Sequence, residues 1–240
     1  MSEWLARTEL IVGDESLKRL KASNVLVVGL GGVGAYAAEM ICRAGIGSMT
    51  IVDGDTVNPT NRNRQLAALK STEGFAKSEV MGERLKDINP DLNLTIIHDY
   101  IKDEKIVEVL DRGFDYVVDA IDTLSPKIFL IYRSLLRKFP VVSSMGAGGK
   151  FDPTRISISD ISETTDCPLA RILRKRLHRL GIREGFTAVY SSEPVDKSKV
   201  ISTPGEPNKA SVVGTISYMP ATFGIACASV VIRDLAGIAR

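Results

Sequence analysis

Residues 24–45 restrict this chain more tightly than any other stretch. Asn24-Val25-Leu26-Val27-Val28 is an almost unbroken apolar run, rich in β-branched side chains, that stops at a glycine. A strand covered on both faces reads this way, because neither set of alternating side chains meets water. Gly29-Leu30-Gly31-Gly32-Val33-Gly34 comes next. Beyond it Val33, Tyr36, Ala37, Met40, Ile41 and Ala44 recur at helical spacing until Gly45 ends the series. Strand, glycine turn and helix in that order begin a β-α-β unit. Parallel strands need such crossovers, so the rest of the chain has to supply more of them.

It does. Ser48 to Val52 reads as a second strand, followed by a polar loop through Pro59 and Asn61 and a helix near 74–88 that Asn89-Pro90 ends. Strands at 94–97, 114–118 and 141–144 alternate with helices at 103–111 and from Leu124 to Leu135. The pattern predicts an α/β fold with a doubly wound, mostly parallel, Rossmann-like sheet. After Gly149 it changes. The remainder reads as a strand at 155–159, a basic helical stretch at 168–180, a Ser/Pro/Lys-rich segment at 191–210 and a closing strand and helix. We read 1–150 as a nucleotide-binding part and 151–240 as an extension packed on the same core, within one domain. A chain of 240 residues buries about 70% of its extended surface on folding, enough for a core without staples.

Val212 to Ile232 is 21 residues without a charge, close to the length of a membrane span. Gly214, Pro220 and Gly224 break it, so it reads better as a strand at 211–218 and a core helix begun by Pro220. The opening Met1-Ser2-Glu3-Trp4 lacks the basic-then-apolar order of a secretory leader. No membrane association and a cytoplasmic location are therefore expected.

The glycine loop sits where a phosphate needs it, between strand and helix, with backbone N–H groups free to approach. Asp53 ends the second strand, where a carboxylate accepts hydrogen bonds from ribose hydroxyls. These residues point to an adenine nucleotide without choosing a reaction. Hydride transfer from NAD is the default for such a loop. A dehydrogenase has no use, however, for the charged set downstream: Asp53-Gly54-Asp55, then Asn61-Arg62-Asn63-Arg64-Gln65, Lys77, and Asp119-Ala120-Ile121-Asp122. Arginine and lysine beside a phosphate loop neutralise a triphosphate, and a carboxylate there holds Mg²⁺. Neither a Walker A sequence nor a G-x-S-x-G elbow is present. Cys42, Cys167 and Cys227 form no C-x-x-C pair, and His98 and His178 are too few for a histidine metal centre.

Taken together, G-x-G-G-x-G, D-x-D, N-x-x-R-Q, the spaced lysine and D-x-x-D resemble the ubiquitin-activating-enzyme-like adenylyltransferases, the ThiF/MoeB group. The resemblance covers about residues 7–150. Val141 to Thr154, with Met145-Gly146-Ala147-Gly148-Gly149-Lys150 at its centre, and Ala221-Thr222-Phe223-Gly224 are similar to the tRNA threonylcarbamoyladenosine dehydratases of that group. The resemblance implies ATP and Mg²⁺ as cofactors, and roles for particular residues. Gly29, Gly31, Gly32, Gly34 and Asp53 contact the nucleotide, Arg64 and Lys77 clamp the phosphates, and Asp122 holds the metal. Asp55 and Asn61 shape the pocket. Arg7 reaches the partner subunit's site in a homodimer. Many activators of sulfur-carrier proteins hold zinc with two C-x-x-C pairs, which are absent here. That favours the tRNA enzyme over carrier activation, although both readings, and a sulfur-transfer protein as partner, stay open on the shared motifs.

Net charge is only +2, from 31 basic and 29 acidic residues, so RNA affinity has to come from a local patch. Arg171, Arg174, Lys175, Arg176, Arg179 and Arg183 supply one, with no acid among them and Leu173, Leu177 and Leu180 as an apolar seat. Such a helix can follow an RNA backbone or can simply be a solvated face.

Overall fold

The apolar run at 24–28 is strand β1 (Asn24–Val28), and its alternate residues feed two separate cores. Val25 and Val27 enter one layer, Leu26 and Val28 the other. The computed structural model describes residues 3–196, 198, 200–202 and 211–238. Around β1 lie β2 (Ser48–Val52), β3 (Asn93–Ile97), β4 (Tyr116–Asp119), β5 (Val141–Ser144), β6 (Ile156–Asp160) and β7 (Thr187–Ser191). They form one seven-stranded sheet in the order β3-β2-β1-β4-β5-β7-β6. All neighbours pair in parallel except β6, which runs antiparallel to β7 at the edge. The order reverses between β1 and β4, and that reversal opens a crevice at the strands' C-terminal ends.

Helices cover both faces. On one lie α2 (Asp14–Ala22), α3 (Gly34–Arg43), α4 (Lys77–Ile88) and α8 (Tyr218–Ala236); on the other lie α5 (Glu104–Leu110), α6 (Leu124–Leu136) and α7 (Pro168–His178). α8 is long and apolar enough to cross a membrane. Here it packs against α3 so closely that a Cβ on Gly224 would sit 2.3 Å from the Val33 carbonyl oxygen. Met219, Phe223, Cys227 and Val231 are buried along that seam.

The α/β reading of 24–144 holds, with edges moved by a few residues. The helix expected near 74–88 begins at Lys77, because residues 74–76 form a turn in which Thr56 and Ala76 make an isolated bridge. Elsewhere the differences are larger. The N-terminal residues fold into α1 (Ala6–Val12) and α2, separated at Gly13, whose φ of 82° breaks the helix. β7 is a central strand that the periodicity does not show. The strand expected at 211–218 is confined to β9 (Ser211–Val213), and the last helix starts at Tyr218, two residues before Pro220. β9 pairs with β8 (Val200–Ser202) in its own antiparallel hairpin instead of joining the main sheet. Much of the Ser/Pro/Lys-rich stretch at 191–210 lies outside the described residues.

Candidate active site

β1 and β4 meet at the crevice, and the glycine loop is built into that meeting. Gly29 has φ of 90°, and a Cβ there would lie 2.7 Å from the Ala120 carbonyl oxygen. A Cβ on Gly34 would sit 1.7 Å from the Gly29 oxygen, so α3 can start only where glycine stands. Gly32 presses against Pro220 of α8, 2.8 Å from where its Cβ would be. Gly31 differs. Its Cβ would meet nothing nearer than the Gln65 side-chain nitrogen at 3.7 Å, so protein packing does not demand glycine at that position. Glycine there leaves the backbone bare on the crevice side, the condition for close approach of a ligand to main-chain N–H groups.

Asp53 braces the loop. Leu30 N–H donates to its Oδ2 at 2.6 Å and Asp55 N–H to its Oδ1 at 2.8 Å. Burial pushes its carboxyl above the usual carboxylate range, and the Lys77 charge and these two N–H groups only partly offset the rise. The Lys77 ammonium is buried and pairs with Asp55 Oδ2 at 2.6 Å. The Tyr100 hydroxyl donates to Asp55 Oδ1, and that acceptor, with burial, pushes the phenol up to about 12. No motif marks Tyr100 as a site residue. It lies three residues beyond β3, and its ring fills the space a Cβ on Gly54 would need, 2.7 Å away.

Across the crevice, the 3-10 turn at 59–61 presents Arg64. Asn58 N–H donates to Asn61 Oδ1 at 3.0 Å, while the Asn61 carbonyl accepts from the N–H groups of Arg64 at 3.1 Å and Gln65 at 2.9 Å. Asn61 thus shapes the loop through its backbone and its amide. Arg64 Nη1 donates to the Thr60 carbonyl at 3.0 Å and to Asn63 Oδ1 at 2.8 Å. Partial burial lowers its pKa, and the nearby charge of Asp122 opposes that shift. Asp122 itself is exposed. Among the described residues Gln65 Oε1 is buried with no hydrogen-bond partner, an orphan acceptor beside the glycine loop. Arg62 points elsewhere, to Glu73 at 3.2 Å.

Asp119 belongs to the scaffold. It is fully buried, paired with Lys127 at 2.8 Å, and accepts from the Ser143 hydroxyl at 2.6 Å and from Ile121 N–H at 3.2 Å. Lys127 also donates to the Ile121 carbonyl at 3.0 Å, which ties the turn carrying Asp122 to the end of β4. The other candidates stand apart. Arg7 is exposed on α1, a helix that buries none of its residues. Arg174 turns inward, donating to the Thr164 carbonyl at 2.7 Å, so it leaves the basic face that Arg171, Lys175, Arg176, Arg179 and Arg183 keep. Burial raises the Cys42 thiol to about 11 and the Cys227 thiol to about 12, as core cysteines require. Among the described residues no three His, Cys, Asp or Glu side chains cluster as a metal site.

A glycine loop, the cations Arg64 and Lys77 and the exposed carboxylate of Asp122 thus gather at a single sheet edge. The family model of the ThiF family matches residues 5–240. The tRNA threonylcarbamoyladenosine dehydratase of Bacillus subtilis is 44% identical over 193 residues, 80% of this chain and 76% of that protein. The enzyme of the same name from Escherichia coli is 36% identical, covering 95% of this chain and 91% of its own. A crystal structure of the Escherichia coli dehydratase in complex with ATP superposes with a TM-score of 0.88 at 35% identity, over 99% of this chain and 96% of that one. The chain belongs to the ThiF family.

Proposed function

We infer that this protein is an ATP-dependent tRNA threonylcarbamoyladenosine dehydratase. The threonylcarbamoyl carboxylate attacks the α-phosphorus of ATP and pyrophosphate leaves. A nitrogen of the same modified nucleoside then attacks the acyl-adenylate carbonyl, loses its proton, and AMP leaves with the carboxylate oxygen. The observation that carries this reading is the convergence of Gly31, Arg64, Lys77 and Asp122 on the crevice between β1 and β4, in a chain similar along its length to dehydratases.

Gly29, Gly31, Gly32 and Gly34 form the cradle, and Asp53, already orienting the loop, takes the ribose hydroxyls. Arg64 and Lys77 clamp the phosphates, and their work is charge stabilisation in the transition state. Lys77 exchanges part of its contact with Asp55 for a phosphate oxygen, while Tyr100 keeps Asp55 in place. Asp122 is an exposed carboxylate and would hold Mg²⁺, which would supply positive charge at the triphosphate.

A homodimer, with Arg7 of each subunit serving its partner's site, belongs to the same proposal. Leu10 and Ile11 on α1, 86% and 83% exposed, give that helix an apolar face that needs a cover. Location in the cytoplasm, contact of α7 with RNA, and a sulfur-transfer protein as a further partner complete it. Arg64→Ala and Lys77→Met test the core of it: pyrophosphate release should fall far more than ATP affinity. Unchanged release in both variants would overturn the reading, and tight binding of NAD without a response to ATP would return the fold to hydride transfer.

A further inference from the structure

A cleft of about 460 Å³ opens between α6 and α7, lined by Leu124, Ile172, Lys175, Arg176 and Arg179. Leu124 opens α6 and comes two residues after Asp122, so the cleft begins beside the C-terminal end of β4 where the site lies. The three cations are exposed, make no ion pair among the described residues, and face no acid across the cleft. Between them Ile172 is 42% exposed. Cations in a last helical turn also favour the helix macrodipole, which accounts for Lys175 and Arg176. The same term reaches Arg179 at the C-cap, but it does not account for an isoleucine left open among charges.

We propose that this cleft binds the RNA strand flanking the modified nucleotide. Phosphates pair with Lys175, Arg176 and Arg179, and one unstacked base lies on Leu124 and Ile172. Single-stranded RNA presents both chemistries together, charge along the backbone and flat apolar faces on its splayed bases. The proposal rests on the dehydratase reading for the nature of the strand. It narrows the basic helix to one half, because Arg174 is held by Thr164 and lies outside the cleft.

The test measures binding of total tRNA against salt concentration, for the whole protein and for Lys175→Ala/Arg176→Ala/Arg179→Ala. A matched control, Lys21→Ala/Arg112→Ala/Lys138→Ala, removes equal charge at the opposite edge of the sheet, just before β1, β4 and β5. The cleft variant should lose about two units of log–log slope, at roughly 0.7 per phosphate of a single strand, and the control much less. Ile172→Glu should weaken tRNA binding at low salt, and all three should bind ATP and melt as the parent does. An equal loss of slope in cleft variant and control would overturn the proposal, as would no loss in the cleft variant. Transfer of the effect to an acidic carrier protein, with tRNA binding untouched, would overturn it too. Pyrophosphate release by the parent protein on modified tRNA judges the dehydratase reading separately, since the slope is read without turnover.

Discussion

The sheet edge formed by β1, β2 and β4 and the layer formed by β6, α7 and β7 have opposite characters. At the first edge the buried charged groups have partners in the fold: Asp53 with two backbone N–H groups, Lys77 with Asp55, Asp119 with Lys127. Such a site is positioned before any ligand arrives, as electrostatic catalysis requires. In the second layer Lys175, Arg176 and Arg179 stand in water around a shallow apolar floor. A surface like that selects and steers a large anion without doing chemistry on it. On the proposed reading, the first region would hold the reacting atoms and the second the molecule they belong to.

Substitutions can break this division, and the largest effect is expected beneath the first edge. Lys127→Ala would leave Asp119 charged in the core without its cation, with only the Ser143 hydroxyl and the Ile121 N–H as donors, a loss of about 3–5 kcal/mol. Denaturant unfolding should show that loss, and an unchanged midpoint would mean the pair does not brace the turn. Next, Arg64→Ala should lower turnover by about 10²–10³, the range for losing one transition-state donor, with the melting temperature kept. A drop confined to KM for ATP would place Arg64 in ground-state binding only.

Smaller effects sharpen the contrast. Burial tends to raise the Glu39 carboxyl, but Arg84 at 2.5 Å and Arg43 at 2.8 Å hold it below its usual 4.5. Its folded value is depressed, so its stabilisation is complete above 4.5 and disappears as pH falls through the lower folded value. Glu39→Gln should therefore melt below the parent at neutral pH, with the gap closing on acidification; a gap independent of pH would remove the charge from the account. The smallest effect belongs to Cys167 in the second layer. Cys167→Ala should keep full turnover and cost no more than about 1 kcal/mol, whereas lost turnover would give that layer a chemical role.

The same division explains which parts of the molecule are legible in its sequence. β1 is buried on both sides, so its residues are apolar throughout and its strand is plain. Gly29 and Gly34 are forced by backbone contacts as close as 1.7 Å, and a constraint that hard leaves its mark on sequence. β7 is just as buried, but Thr187-Ala188-Val189-Tyr190-Ser191 mixes small and polar residues and shows no clear period. β8 and β9 are three residues each, too short for any period to develop. Arg174 resembles its neighbours in the sequence because helical spacing does not say that a long side chain will curl back to Thr164. Tyr100 and Lys127 escape notice for a related reason: each matters through a partner far away in the chain or on another element, Asp55 for one and Asp119 for the other.

On the proposed reading, the edge between β1 and β4 adenylates a carboxylate carried by tRNA. A pyrophosphate-release assay tests it most directly, run with ATP and either tRNA bearing threonylcarbamoyladenosine or a small carrier protein ending in Gly-Gly. Release is expected with the modified tRNA, none with the carrier, and the signal should be lost in Asp122→Ala. Release with the carrier alone would contradict that reading and move the activity to sulfur-carrier activation.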